Sequence, residues 1–167
     1  TVMKENNLVI TGMGAVTPGG IGVSEYWNAL KEGTCGVGKI TRFDAGEMPV
    51  QIAAELKDFD PTAYMPKTLA RTMDSFMQFA FIAAEQAIAD SGLCIESESD
   101  RVGIVMGTAM DGVTTVAQTQ AAFDEGKRVG PRFVPMTIGN IAAAQIAIAH
   151  GIHGPSLTLN TACSAGG

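Results

Sequence analysis

Short apolar runs closed by glycine or proline alternate along this chain with longer segments whose apolar residues recur at helical spacing, and few architectures accept that order. Residues 7–11, rich in Leu, Val and Ile and closed by Gly12 and Gly14, read as a buried strand. So do residues 101–106 and, after the turn Gly151-Ile152-His153-Gly154-Pro155, residues 156–160. Between them lie expected helices. One covers 25–32, with Ser24 as N-cap and Gly33 as stop. The longest runs over about 68–91, with Met73, Phe76, Met77, Ala80, Ala83, Ala84, Ala87 and Ile88 on its apolar stripe and Gly92 at its end. Two more are expected over 113–125 and 137–149, the latter with Ile138, Ile141, Ala142, Gln145, Ile146 and Ala149 in line. Thr17-Pro18-Gly19-Gly20 is a turn, and 34–66 is irregular apart from one short strand near 51–55. Strands that alternate with helices predict an α/β domain with a largely parallel sheet.

Length and composition agree with one such domain. The 167 residues, 46% apolar and 17% charged, form a core-building composition rather than a disordered one. Eleven basic residues against seventeen acidic ones give a net charge of −6. That argues against a nucleic-acid partner, which needs clustered Lys and Arg. No apolar run reaches the roughly 20 residues that span a bilayer, and the opening TVMKENNLVITG lacks the pattern of a secretory signal. Cys35, Cys94 and Cys163 are odd in number and lack a C-x-x-C spacing, which disfavours a disulfide framework or a zinc site. A reducing cytoplasm is the expected setting. The chain stops among small residues at Gly167, just where a strand turns, and reads as a fragment, 1–167, cut just after its candidate site.

Cys163 is that candidate. It follows the β-type run 156–160 and is succeeded only by Ser164, Ala165, Gly166 and Gly167, which crowd nothing around a sulfur. A strand that turns sharply into a helix sets its turn residue at the helix start, where unpaired N–H groups and the dipole favour an anion. The thiolate is the form of cysteine that attacks a carbonyl, and small neighbours give a substrate oxygen access to backbone N–H donors. A buried, inert cysteine is the competing reading.

Around this cysteine, Gly154-Pro155-Ser156 and Asn160-Thr161-Ala162-Cys163-Ser164-Ala165-Gly166 resemble the active-site segment of the β-ketoacyl-acyl-carrier-protein synthases. Leu8-Val9-Ile10-Thr11-Gly12-Met13-Gly14-Ala15-Val16-Thr17-Pro18 is similar to the family's first strand and loop. Met73-Asp74-Ser75-Phe76-Met77-Gln78 and Arg132-Phe133-Val134-Pro135-Met136-Thr137-Ile138 follow its pattern in the same order. The resemblance spans nearly the whole chain and is strongest to the type II elongating group, KAS II. It implies the N-terminal half of a thiolase-like, layered α/β fold and a homodimeric acyltransferase without metal or organic cofactor, whose partner is acyl carrier protein. Fatty-acid elongation by decarboxylative Claisen condensation is the implied reaction. A polyketide-type ketosynthase and a non-catalytic paralogue are the alternatives within the fold, and a cysteine hydrolase is the alternative outside it.

Carried over by position, the resemblance makes Cys163 the nucleophile and its own N–H one oxyanion donor. It makes Met110 a residue lining the acyl pocket, and Phe133, Val134 and Thr137 a segment reaching toward the partner subunit's acyl tunnel. Ordinary core packing is the plain alternative for Met110 and Phe133. The family's two histidines and lysine fall further along its chain. His150 and His153 precede Cys163 and read as structural, so residues 1–167 alone are expected to be inactive. Acyl carrier proteins are acidic, so docking needs a basic patch, for which Lys67, Arg71, Lys127, Arg128 and Arg132 are candidates, with plain surface solubility as the alternative. Gly12-x-Gly14 lacks the third glycine and the acidic ribose ligand of a dinucleotide turn.

Overall fold

A computed structural model of the chain describes residues 8–166. In chain order they form β1 (Val16–Thr17), β2 (Gly20–Ile21), α1 (Val23–Glu32), β3 (Val37–Lys39) and β4 (Ile52–Ala54). After a 3-10 turn at Pro61–Ala63 come α2 (Lys67–Ala70), α3 (Ser75–Ser91), α4 (Ile95–Glu98), β5 (Ile104–Thr108) and α5 (Val113–Asp124). The described chain closes with α6 (Phe133–Thr137), α7 (Ile141–His150), β6 (Ser156–Asn160) and a 3-10 turn at Ala162–Ser164. These elements group into two compact units, one of residues 1–55 and 83–93, the other of 56–82 and 94–167.

In the first unit β1 and β2 form an antiparallel hairpin closed by the expected Thr17–Gly20 turn, and β3 pairs antiparallel with β4. The strand near 51–55 is therefore present. Its partner β3 was not expected, because Val37-Gly38-Lys39 has no period of its own and takes its ladder from Ile52–Ala54. Helix α1 ends at Gly33 as expected, but it starts at Val23 with Gly22 as its N-cap. Ser24 lies inside the first turn and caps nothing. Gly12 and Gly14 press their backbones against α3, where a Cβ would overlap the carbonyls of Ala87 and Ala83. Close packing, rather than phosphate binding, accounts for this glycine pair.

The first expected strand is not found. Residues 8–10 form no strand pairing among the described residues, and Leu8 is 97% exposed; Asn7, where that strand was to begin, lies outside them. An apolar run becomes a strand only when a neighbour supplies the ladder, since an unpaired backbone gains nothing by extending.

In the second unit β5 and β6 run parallel, in register from Ile104 opposite Ser156 to Thr108 opposite Asn160. The sheet is thus parallel only here; the other two pairings among the described residues are antiparallel. Residues 101–103 do not join β5 as expected, because Arg101 and Val102 donate to the Glu98 carbonyl and complete the exit from α4. Helix α7 packs on β5 and β6 with Ala142, Ala143 and Ile146 buried. The period-2 alternation puts Val105, 73% exposed, and Leu157 on the opposite, open face.

The single helix expected over 68–91 is two. Asp74 breaks it by accepting the Phe76 N–H, and it also accepts the N–H and hydroxyl of Thr115 at the start of α5. Met73, Met77, Phe81 and Ile82 are the buried side chains of this stretch, and Phe59 meets Phe79 edge-on at 5.1 Å. The helix expected over 137–149 also begins late. Thr137 closes α6 by donating its hydroxyl to the Phe133 and Val134 carbonyls, and α7 starts only at Ile141.

Candidate active site

The site builds up at the C-terminal ends of β5 and β6, the edge at which parallel α/β sheets receive ligands. Past Asn160 the chain turns through Ala162, whose φ of 52° is left-handed and uncommon for an alanine. The turn is closed by the Ser164 N–H to the Thr161 carbonyl (3.3 Å) and the Ala165 N–H to the Ala162 carbonyl (3.0 Å). Neither bond uses the N–H of Cys163. The Cys163 side chain is exposed among the described residues.

Among the described residues the strand is followed by a 3-10 turn over Ala162–Ser164, with Ala165 as its C-cap.

Gly107 fixes this turn against β5, for a Cβ there would overlap the carbonyl of Ala165. On the other strand, β5 leads into the loop of Met110, whose side chain is 70% exposed. Met110 is thus not packed into the core of the described residues. Phe133 and Thr137 are half-buried on α6 and Val134 is exposed. The Met110 loop meets α6 where Gly112 lies against the backbone of Met136 and Thr137. So the Met110 loop and α6 are in contact, and the turn of Cys163 lies on the same pair of strands.

Phe133 also lines two cavities, of about 300 and 250 Å³, formed by α5, α6 and the segment joining them. Arg128 and Arg132 line the larger one with Met136. Lys127 is engaged with Glu125 at 2.6 Å, which leaves the two arginines as the basic groups of this surface. Lys67 opens α2 and Arg71 follows its last residue. His153 faces Asp100 at 3.4 Å on an exposed turn, and His150 ends α7. Among the described residues no group of His, Cys, Asp and Glu could hold a metal ion.

The group that joins these segments was not among the residues singled out from the sequence. Asp111 accepts the hydroxyl of Thr108 and, at 3.0 Å, the side-chain amide of Asn160. Only its place beside Met110 in a glycine-punctuated turn marked it. The thiol drawn down from the ordinary cysteine range is Cys94, through a hydrogen bond from the Ser97 side chain and a further one from its backbone.

Residues 5–167 match the family model of the β-ketoacyl synthase N-terminal domain. The chain belongs to the β-ketoacyl synthase family. It is 41% identical over 167 residues to 3-oxoacyl-[acyl-carrier-protein] synthase 2 of Coxiella burnetii, and 40% identical to its counterpart in Synechocystis. Those alignments cover 98% of this chain and 40% of each relative, so the chain spans about two fifths of the curated relatives' length. Among solved structures, a β-ketoacyl synthase from Burkholderia phymatum superposes with a TM-score of 0.78 at 28% identity, over 95% of this chain and 40% of that one. The α/β fold expected from the sequence, the N-terminal part of a thiolase-like fold, is the fold of this β-ketoacyl synthase domain.

Proposed function

We propose that residues 1–167 are the N-terminal β-ketoacyl synthase domain of a 3-oxoacyl-[acyl-carrier-protein] synthase acting in fatty-acid elongation. The observation that carries this reading is the exposed Cys163 on its tight turn at the C-terminal edge of the parallel pair. The Cys163 thiolate attacks the carbonyl of an acyl thioester, and the carrier thiol leaves as the acyl group passes to sulfur. The N–H of Cys163 donates to the oxygen that becomes negative in this step. Loss of CO2 from a malonyl thioester then gives a carbanion. It attacks the acyl carbonyl, forms the new carbon–carbon bond and releases the Cys163 sulfur.

Met110 presents an apolar side chain for the acyl chain, each buried methylene of which is worth about 0.8 kcal/mol. Phe133, Val134 and Thr137 reach toward the acyl tunnel of the second subunit in a homodimer. The partner is acyl carrier protein, an acidic protein for which Arg128 and Arg132 offer charge beside an apolar cavity. Lys67 and Arg71, on and just after α2, extend the basic character available to that partner. The protein works in the cytoplasm; among the described residues no helix is long and apolar enough to cross a membrane.

The test is turnover by the full-length protein with acyl- and malonyl-carrier protein. A 3-oxoacyl product is expected, and Cys163→Ala abolishes it. Replacing both His150 and His153 by Ala leaves acylation of Cys163 in place. Loss of acylation in that double variant, with hydrolysis of the thioester by the unaltered protein, would instead identify a cysteine hydrolase.

A further inference from the structure

The last rung of the parallel ladder sets Thr108 opposite Asn160, and both side chains give their hydrogen bond to the same carboxyl group. Asp111 takes Thr108 on Oδ1 and Asn160 on Oδ2, the latter at 3.0 Å across forty-nine residues of sequence. A third segment closes on it, since the backbone at Gly139 lies so near Asp111 that a Cβ would overlap its carboxyl group. Asp111 therefore joins the end of β5, the end of β6 and the α6–α7 junction. It stands next to Met110, while Asn160 stands three residues before Cys163.

We infer that Asp111 is a positioning residue of the reaction centre, holding the Met110 loop and the Cys163 turn at the separation that an acyl thioester must bridge. This rests on the reading of Cys163 as the nucleophile. Ala109 and Met110 of this loop are exposed, and among the described residues the Asp111–Asn160 bond is the side-chain hydrogen bond that ties the loop to the strand that presents the sulfur. A reacting carbonyl must lie within about 3.5 Å of the sulfur, and small displacements of a nucleophile lower the rate of the step far more than the binding of its substrate. The inferred role thus acts on kcat for acylation and leaves KM nearly unchanged.

The side-chain chemistry supplies a conservative rescue. In D111N the amide oxygen still accepts from Asn160, and the amide N–H group donates to Thr108, whose hydroxyl turns to accept. In D111A both bonds go. In N160D two carboxylates face each other, and in the pair D111N/N160D the bond returns with its direction reversed. The experiment measures acylation of Cys163 in the full-length protein by an acyl-carrier-protein thioester, resolved into kcat and KM, beside alkylation of Cys163 by iodoacetamide. D111A and N160D are expected to lose about tenfold or more in kcat, with KM and the alkylation rate within about twofold. D111N and the D111N/N160D pair are expected to recover most of that loss. If D111A does not fold, N160D and its D111N partner decide the matter.

Equal kcat in N160D and the unaltered protein would overturn the inference, as would a paired variant no better than N160D alone. Acylation that persists in Cys163→Ala would overturn the underlying nucleophile instead. The two failures are thus read from different variants.

Discussion

Asp74 accepts two hydrogen bonds from Thr115, one from its N–H at 2.8 Å and one from its hydroxyl at 2.6 Å, while its other oxygen takes the Phe76 N–H. At 5% exposure it is the one buried polar or charged residue of the described chain. It starts α3 and holds the first turn of α5 to it. Replacing Asp74 by Ala removes these bonds and leaves the half-buried N–H groups of Phe76 and Thr115 without this partner, at a cost of about 3 kcal/mol. Thr115→Val, which removes only the hydroxyl's bond, costs about 1 kcal/mol. Urea unfolding of the full-length protein checks both values, and equal midpoints for the two variants would contradict this role.

Gly107 is expected to be intolerant of even one methyl group. Its Cβ position is taken by the Ala165 carbonyl, so Gly107→Ala must lift the Cys163 turn off β5 or distort the strand. The expected result is a loss of about tenfold or more in the acylation rate of Cys163. Rates of acylation by a soluble acyl thioester measure this directly. An unchanged rate would mean that the turn is not held where the structure places it.

Much of this arrangement was legible in the sequence, and the rest was not for identifiable reasons. The strand Ser156–Asn160 and the turn after it were readable because a β-type run sits between Pro155 and a string of small residues. The helix stops at Gly33 and Gly92 were readable from the glycines themselves. The break before Ser75 was not, since it depends on Asp74 finding Thr115 forty-one residues away. The same holds for Asp111 and Asn160, which no period connects. Ala162 could not be identified as the left-handed residue of the turn, because alanine carries no preference for that backbone.

Cys94 is expected to compete in any experiment that uses an unselective alkylating agent. The Ser97 hydrogen bonds favour its thiolate and hold it below the ordinary cysteine range, so its thiolate forms at lower pH than that of an unassisted thiol. Its iodoacetamide rate should therefore rise at lower pH than that of a free cysteine in solution. Ser97→Ala removes the leading donor, raises the pH at which the thiolate forms and slows alkylation near pH 7.5. Peptide-resolved mass spectrometry across a pH series reads this shift, and identical profiles with and without the Ser97 hydroxyl would contradict it.

The central claim concerns where an acyl group goes when the full-length protein meets its thioester substrate. Mass spectrometry of the protein after incubation with an acyl-carrier-protein thioester, in the absence of the malonyl substrate, locates that group. The account predicts a single thioester adduct on the peptide bearing Cys163, with Cys35 and Cys94 unmodified. Acyl groups spread evenly over the three cysteines, or an adduct that survives in Cys163→Ala, would contradict it.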